Sequence, residues 1–330
     1  MSASHLTLYT ETRPRLLSLA YRMTGSLADS EDILQEAWLR FAQVPAEKVG
    51  SAAALLTTIV TRLCLDLLRS ARKKRETYVG PWLPEPMPDL YLAHEDAMQR
   101  ETVSYAFLLL LQKLAPAERA VFILREIFDY DYIEIAKVVR KSADNCRQVF
   151  HRAKKSLRRE LGVQTSAGPH ERELLAAFLA ACSGDNLEKL VQMLGHDATL
   201  LSDGGGKVNA SSIPVVGKSK VAKFIFAVRH KGGRKLYYAA RMNNTDAIII
   251  YADGKPYAAQ FFEYGHGRIT RTLIVRNPNK LTLFADREKL LSQGILQPVA
   301  KFLGAKATLL IAANSLMRFL FSRRAPSALR

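Results

Sequence analysis

Asn145, Arg147, Gln148, His151, Arg152 and Lys155 recur at helical spacing, and each side chain carries at least one hydrogen-bonding group. Arginine can place two parallel bonds on a guanine edge or a phosphate, and asparagine and glutamine can do the same on adenine. Side chains of these types on one helix face can read bases. A basic helix is often no more than a solvated face, so the order of the preceding residues decides. Tyr132–Val139 has the pattern of a short amphipathic helix, Arg140-Lys141-Ser142 that of a tight turn with Ser142 as N-cap, and Ala143–Arg159 that of a longer cationic helix. Ile135, Ala136 and Val139 are expected to pack on Cys146, Val149 and Ala153, which turns the six polar side chains toward a major groove. This is a helix-turn-helix.

Other chemistries find little support. The seven histidines are scattered singly, and Cys64, Cys146 and Cys182 sit among apolar helix positions, so neither a metal site nor a disulfide framework is expected. The glycine run Asp203-Gly204-Gly205-Gly206-Lys207 lacks the spacing of a nucleotide-binding loop. No Asp–His pair converges, and no catalytic residue or cofactor is expected. The N-terminus lacks a basic head followed by an apolar run, so no signal peptide is read and the expected location is the cytoplasm. A net charge of +17 favours a polyanionic partner. The first 160 residues carry 24 basic against 20 acidic groups, so their positive charge is clustered, at Arg69–Arg75 and Arg140–Arg159.

The elements that must hold this helix-turn-helix are mostly helical. Leu16, Leu19, Ala20 and Met23 form one amphipathic face, which Gly25-Ser26 ends. A second helix then begins with acids in its first turn. Ile33, Ala37, Trp38 and Phe41 line its buried stripe, while Asp29, Asp32, Gln35, Glu36 and Arg40 stay outside. Ala52–Arg75 reads as one long helix with Leu55, Leu56, Ile59, Leu63, Leu67 and Leu68 inside. A proline-rich linker follows, in which Trp82-Leu83-Pro84-Glu85-Pro86 carries apolar side chains that should dock on a neighbouring domain. Two further helices, 96–114 and 116–127, complete a four-helix module. Beyond a second linker, 162–169, helices near 170–182 and 185–194 precede alternating strands near 198–201, 235–243, 247–252, 258–264 and 268–275, with turns at Gly232-Gly233 and Asp253-Gly254. That order predicts an α+β cone. In the tail, Phe302, Leu309, Leu310, Ala313, Leu316, Met317 and Leu320 follow helical spacing with interspersed cations. Packing on the protein is the favoured reading of this basic amphipathic segment, and contact with an anionic membrane surface is the alternative.

Taken together, the acidic helix Asp29–Arg40, the cationic helix containing Asp66-Leu67-Leu68-Arg69, and Asn145–Lys155 resemble extracytoplasmic-function RNA polymerase sigma factors. The motifs Trp82–Pro86, Asp203–Lys207 and Asn277-Pro278-Asn279-Lys280-Leu281 are similar to those of the subgroup that fuses a SnoaL-like domain behind the sigma domains. The resemblance implies a multidomain chain of two all-α sigma domains, region 2 (5–75) and a region 4 helix-turn-helix domain (96–161), joined by a linker (76–95). An α+β SnoaL-like cone (168–282) and a helical tail (283–330) would follow. It implies binding to the β and β′ subunits of core RNA polymerase through Asp29, Asp32, Gln35, Glu36 and Arg40. Contact with the −10 promoter element falls to Arg62, Asp66, Arg69, Arg72 and Lys73, and with the −35 element to Asn145, Arg147, Gln148, His151, Arg152 and Lys155. Trp82, Leu83, Pro84, Glu85 and Pro86, with Asp203, Gly204, Gly205, Gly206 and Lys207 and with Asn277, Pro278, Lys280 and Leu281, would form an interdomain regulatory set, and an unidentified small-molecule ligand would have room in the cone. Asn279 stands where the subgroup carries an aspartate. With no aromatic in Val49–Thr58, strand opening is expected to rely on a base-trapping pocket in the Val44–Ser51 loop. The rival classes are a SnoaL-type enzyme with a DNA-binding appendage and a one-component regulator.

Overall fold

The apolar face of residues 16–23 becomes the centre of helix α1 (Ala3–Thr24), where Leu16, Leu19, Ala20 and Met23 are all buried. The computed structural model describes residues 3–76, 78–92, 100, 102–160, 169–183, 186–228 and 235–299. They fall into two compact units, the first drawn from Met1–Tyr78, Trp82–Gly162 and Met242–Asn244, the second from Val79–Pro81, Val163–Arg241 and Thr245–Arg330.

In the first unit, Gly25 ends α1 with φ +70°, and a side chain there would collide with the Trp82 ring. Ser26 then caps α2 (Leu27–Ala42) by accepting the Asp29 N–H at 3.1 Å. Ile33, Ala37 and Phe41 are buried in α2 as expected, and Trp38 is half-buried 5.0 Å from the Tyr9 ring. Helix α3 (Ala52–Glu76) spans the predicted length, but its most buried side chains are Leu56, Val60, Cys64, Leu65 and Leu68. Leu55, Ile59, Leu63 and Leu67 are only half-buried against the same core. The predicted stripe assumed one packing partner. Helix α3 has several: it lies against α1 and α2 and also against α5 (Pro116–Glu126) and α6 (Tyr132–Val139).

The helix expected over 96–114 is described as α4 (Tyr105–Gln112) behind a turn at 102–103, because Ser104 takes the cap position and accepts the Phe107 N–H. Helix α6 carries a reciprocal cap: Asp131 accepts the Glu134 N–H at 2.7 Å, and Glu134 accepts the Asp131 N–H at 3.0 Å. Arg140 closes it in the left-handed region at φ +55°. Helix α7 (Ala143–Glu160) follows, with Ser142 accepting the Asn145 N–H. One continuous apolar cluster joins α1 to α7.

The second unit opens with α8 (Pro169–Ser183) and α9 (Leu187–Met193). Its strands are β1 (Leu194–Asp203), β2 (Val215–Val216), β3 (Lys235–Met242), β4 (Thr245–Ala252), β5 (Lys255–Gly265), β6 (Arg268–Val275) and β7 (Leu296–Pro298). They form one sheet in the order β2-β1-β6-β5-β4-β3-β7, in which β1 runs parallel to β6. Asp253 and Gly254 turn β4 into β5 with positive φ at both positions, as the sequence predicts, whereas Gly232-Gly233 lies outside the described residues. Helix α10 (Lys218–Val228) escaped the sequence reading; it buries Val221, Ala222 and Ile225 on β1 and β2. Strand β7 pairs with β3 and follows the short helix α11 (Arg287–Ser292), both within the stretch read as tail. The apolar repeat from Phe302 onward lies outside the described residues.

Candidate nucleic-acid interface

Packing of α7 on α5 and α6 fixes which side chains stay outside. Ile135, Val138, Val139, Cys146, Val149, Phe150 and Ala153 are buried, and Ala136 is half-buried. Asn145, Arg147, Gln148, His151, Arg152 and Lys155 are all exposed on one surface of α7, as the spacing predicts. Arg147 lies 5.3 Å over the Tyr132 ring and bonds Asp144 at 2.9 Å, so its fork is held near the helix start. Burial, countered by Lys141, raises the Cys146 thiol above its ordinary range, consistent with a packing role.

The face of α2 assigned to the polymerase is also open. Asp29, Asp32, Gln35 and Arg40 are exposed, Glu36 is half-exposed, and Arg40 donates to Glu36 at 2.8 Å. The −10 set is divided. Asp66 and Arg69 are exposed and paired with each other at 3.1 Å. Arg72 and Lys73 lie on the last turns of α3, with side chains outside the described residues. Arg62 instead donates through Nε to Val138 O at 3.2 Å and through Nη2 to Lys137 O at 2.8 Å. It thereby satisfies carbonyls at the C-terminus of α6, a favourable place for a cation. Tyr130 adds a bond from its hydroxyl to Thr57 Oγ1 at 2.9 Å.

The Trp82–Pro86 motif docks within the first unit. Leu83, Pro84, Glu85 and Pro86 are buried and Trp82 is half-buried. Tyr21 donates to Glu85 O at 2.6 Å, and Tyr105 donates to Pro84 O. The Glu85 carboxylate accepts Leu27 N–H at 2.9 Å, Ala28 N–H at 3.2 Å and the Ser26 hydroxyl at 3.2 Å, and so sits on the N-terminus of α2. Burial raises its carboxyl above the ordinary value against these three donors. The sequence reading assigned Glu85 no partner; an acid inside an apolar strip, beside a helix start with open N–H groups, was the available signal.

In the second unit, Asp203 and Lys280 form a buried ion pair at 2.7 Å, and Asp203 O also accepts the N–H groups of Arg276 and Asn277. The glycine motif and the Asn277–Leu281 motif are therefore two halves of one structure. Lys280 has its carboxylate there without the aspartate that Asn279 replaces. Gly204 tolerates no side chain, because a Cβ would stand 2.5 Å from Val208 O, and Gly205 and Gly206 have φ of +59° and +71°. Lys207, Pro278 and Asn279 are exposed, and Leu281 is buried. No group that could hold a metal ion occurs among the described residues. No helix among them is long and apolar enough to cross a membrane.

This arrangement of two helical modules, one bearing an exposed recognition helix, agrees with the family models: Sigma-70 region 2 matches residues 8–74 and Sigma-70, region 4 matches residues 104–157. The chain belongs to the extracytoplasmic-function RNA polymerase sigma factors, and is thus a transcription initiation factor that binds core RNA polymerase and promoter DNA. It is 36% identical to the ECF RNA polymerase sigma factor SigJ of Mycobacterium tuberculosis over 74% of this chain and 80% of that protein. It is 33% identical to the probable ECF RNA polymerase sigma factor SigI of the same species, over 82% of this chain and 92% of that one. The crystal structure of M. tuberculosis SigJ aligns with 84% of this chain and 98% of its own at a TM-score of 0.65 and 29% identity. The α+β unit behind the sigma regions is the SnoaL-like domain.

Proposed function

We propose that this sigma factor reads a −35 element with Asn145, Arg147, Gln148, His151, Arg152 and Lys155, and meets the β and β′ subunits through the outer face of α2. The −10 element falls to Asp66, Arg69, Arg72 and Lys73, and strand opening to the Val44–Ser51 loop. The SnoaL-like domain sets promoter output through the Trp82–Pro86, Asp203–Lys207 and Asn277–Leu281 motifs. The observation that carries this reading is the exposure of all six polar side chains on α7 while its other face is buried.

Run-off transcription with core polymerase is the test. Arg147→Ala should relax base preference at one position by about 1–3 kcal/mol. Lys155→Ala should weaken binding evenly across sequences and lower the salt slope by about one charge. A chain that directs core polymerase to no start site rejects the proposal. Alanine substitutions through Val44–Ser51 should lower permanganate reactivity at the start site.

Catalysis by the SnoaL-like domain is disfavoured by its acids. Asp203 is held by Lys280, Asp246 by Arg172 at 3.0 Å and Arg241 at 2.9 Å, and Glu263 by Arg271 at 2.9 Å. Each of these carboxylates is thus occupied by a cation. The protein works in the cytoplasm with polymerase.

A further inference from the structure

On α7, Arg147 is held from two directions. Its Nη1 donates to Asp144 Oδ1 at 2.9 Å, and its Cζ lies 5.3 Å from the centroid of the Tyr132 ring. Tyr132 opens α6, so the first helix of the helix-turn-helix supplies the ring on which an arginine of the second is stacked. That ring is itself fixed. Phe150, buried on α7, meets it edge-on at 6.2 Å, and Arg125 lies 5.3 Å over it while donating to Tyr130 O at 2.9 Å.

A free arginine side chain loses rotamer freedom when it binds, whereas one already stacked on a ring has lost part of that freedom beforehand. The bond to Asp144 uses Nη1, which leaves the fork of Nε and Nη2 out of that bond on a side chain that is 56% exposed. Two donors side by side match the N7 and O6 acceptors of guanine; adenine offers N7 beside an N6 donor. A phosphate would also take the fork. The Asp144 carboxylate decides between them, because beside the guanidinium it repels a phosphate and leaves a neutral base edge unpenalised. Arg147 also stands near the start of α7, where a recognition helix meets base edges.

On the assignment of α7 to the −35 element, we propose that Tyr132 and Asp144 are positioning residues that commit Arg147 to a guanine of that element. Tyr132 holds the guanidinium plane and Asp144 holds one of its ends, so the remaining fork meets the promoter already oriented. The specificity of one base pair is thereby set by two side chains besides the one that reads it.

Holoenzyme formed from the full chain and core polymerase is mixed with duplexes randomised across the −35 region, and the retained DNA is sequenced. Arg147→Ala should abolish a guanine preference at one position. Tyr132→Leu should lower the preference at that same position about twofold to fivefold, the share of an exposed cation–π contact, and leave the other positions as they are. Tyr132→Phe, which keeps the ring, should retain it. Asp144→Asn should lower the same preference while tightening binding to duplexes without that guanine, because a phosphate then competes for the fork. Asp144 lies on the helix surface and gives this second readout if Tyr132→Leu does not fold. A residue that only supports the fold would weaken binding to all duplexes alike. The clamp is overturned by a lost preference for a base other than guanine, by a Tyr132→Leu loss spread evenly over all positions, or by an Asp144→Asn variant that binds every duplex less tightly. If Arg147→Ala alone changes a preference, the clamp fails and the −35 assignment stands; if no variant changes any, both fail.

Discussion

Glu85 and Lys280 both place charge where water is excluded, and they differ in what balances it. Glu85 is balanced by N–H groups at the start of α2. Its raised carboxyl means that the folded state holds the proton more tightly than the unfolded chain does. Its contribution to stability is therefore fully present below the unfolded carboxylate range of about 4.3 and is lost as pH rises through the folded value. Glu85→Gln cannot titrate. The stability of the parent relative to this variant should fall as pH rises above about 4.3, measured by denaturant unfolding; a difference constant with pH would contradict the burial argument. Lys280 is balanced by one carboxylate. Lys280→Met removes the ammonium from the buried Asp203 carboxylate and should cost about 3–5 kcal/mol, and adding Asp203→Asn should recover part of it. A loss below about 1 kcal/mol would mean that water reaches the pair.

At the scale of elements, α3 carries both the region 2 core and a contact to region 4. Arg62 was expected on DNA, but its guanidinium satisfies the last carbonyls of α6. Such charge-assisted bonds contribute about 1.5–3 kcal/mol, with the lower end fitting a half-exposed side chain. Arg62→Ala should therefore speed amide exchange at the end of α6 by roughly tenfold, while the amides of α1 keep their protection. Unchanged exchange in α6 would show that the apolar cluster alone holds the helices together. The same element explains why its buried stripe was misread. A helix packed on two sides has two stripes, and Val60 and Cys64 lie between the leucines that periodicity selects.

For the whole molecule, two compact units within one chain make regulation a matter of population. Deleting residues 168–330 should change promoter output in a reporter assay. Identical output from full-length and truncated chains would reject control by the SnoaL-like domain. The distribution of charge bears on the same experiment. Residues 161–330 carry 24 basic and 11 acidic groups, so truncation also removes most of the positive excess and should shallow the salt dependence of DNA binding.

Sequence alone determined what depends on neighbours along the chain. The lengths of α3 and α7, the turn before Ala143, the outward set on α7 and the β4–β5 turn follow from periodicity, capping and backbone preference acting over a few residues. Helix α10 escaped because its aromatic and β-branched residues blur that local signal. Only the tertiary structure decided the partners of the charged side chains. Arg62 meets carbonyls some 75 residues away, Glu85 meets a helix start 57 or 58 residues before it, and Lys280 meets Asp203 at a separation of 77. No pattern along the chain encodes such pairings; they arise when packing removes water and leaves each buried charge to whichever opposite group the fold has brought within reach.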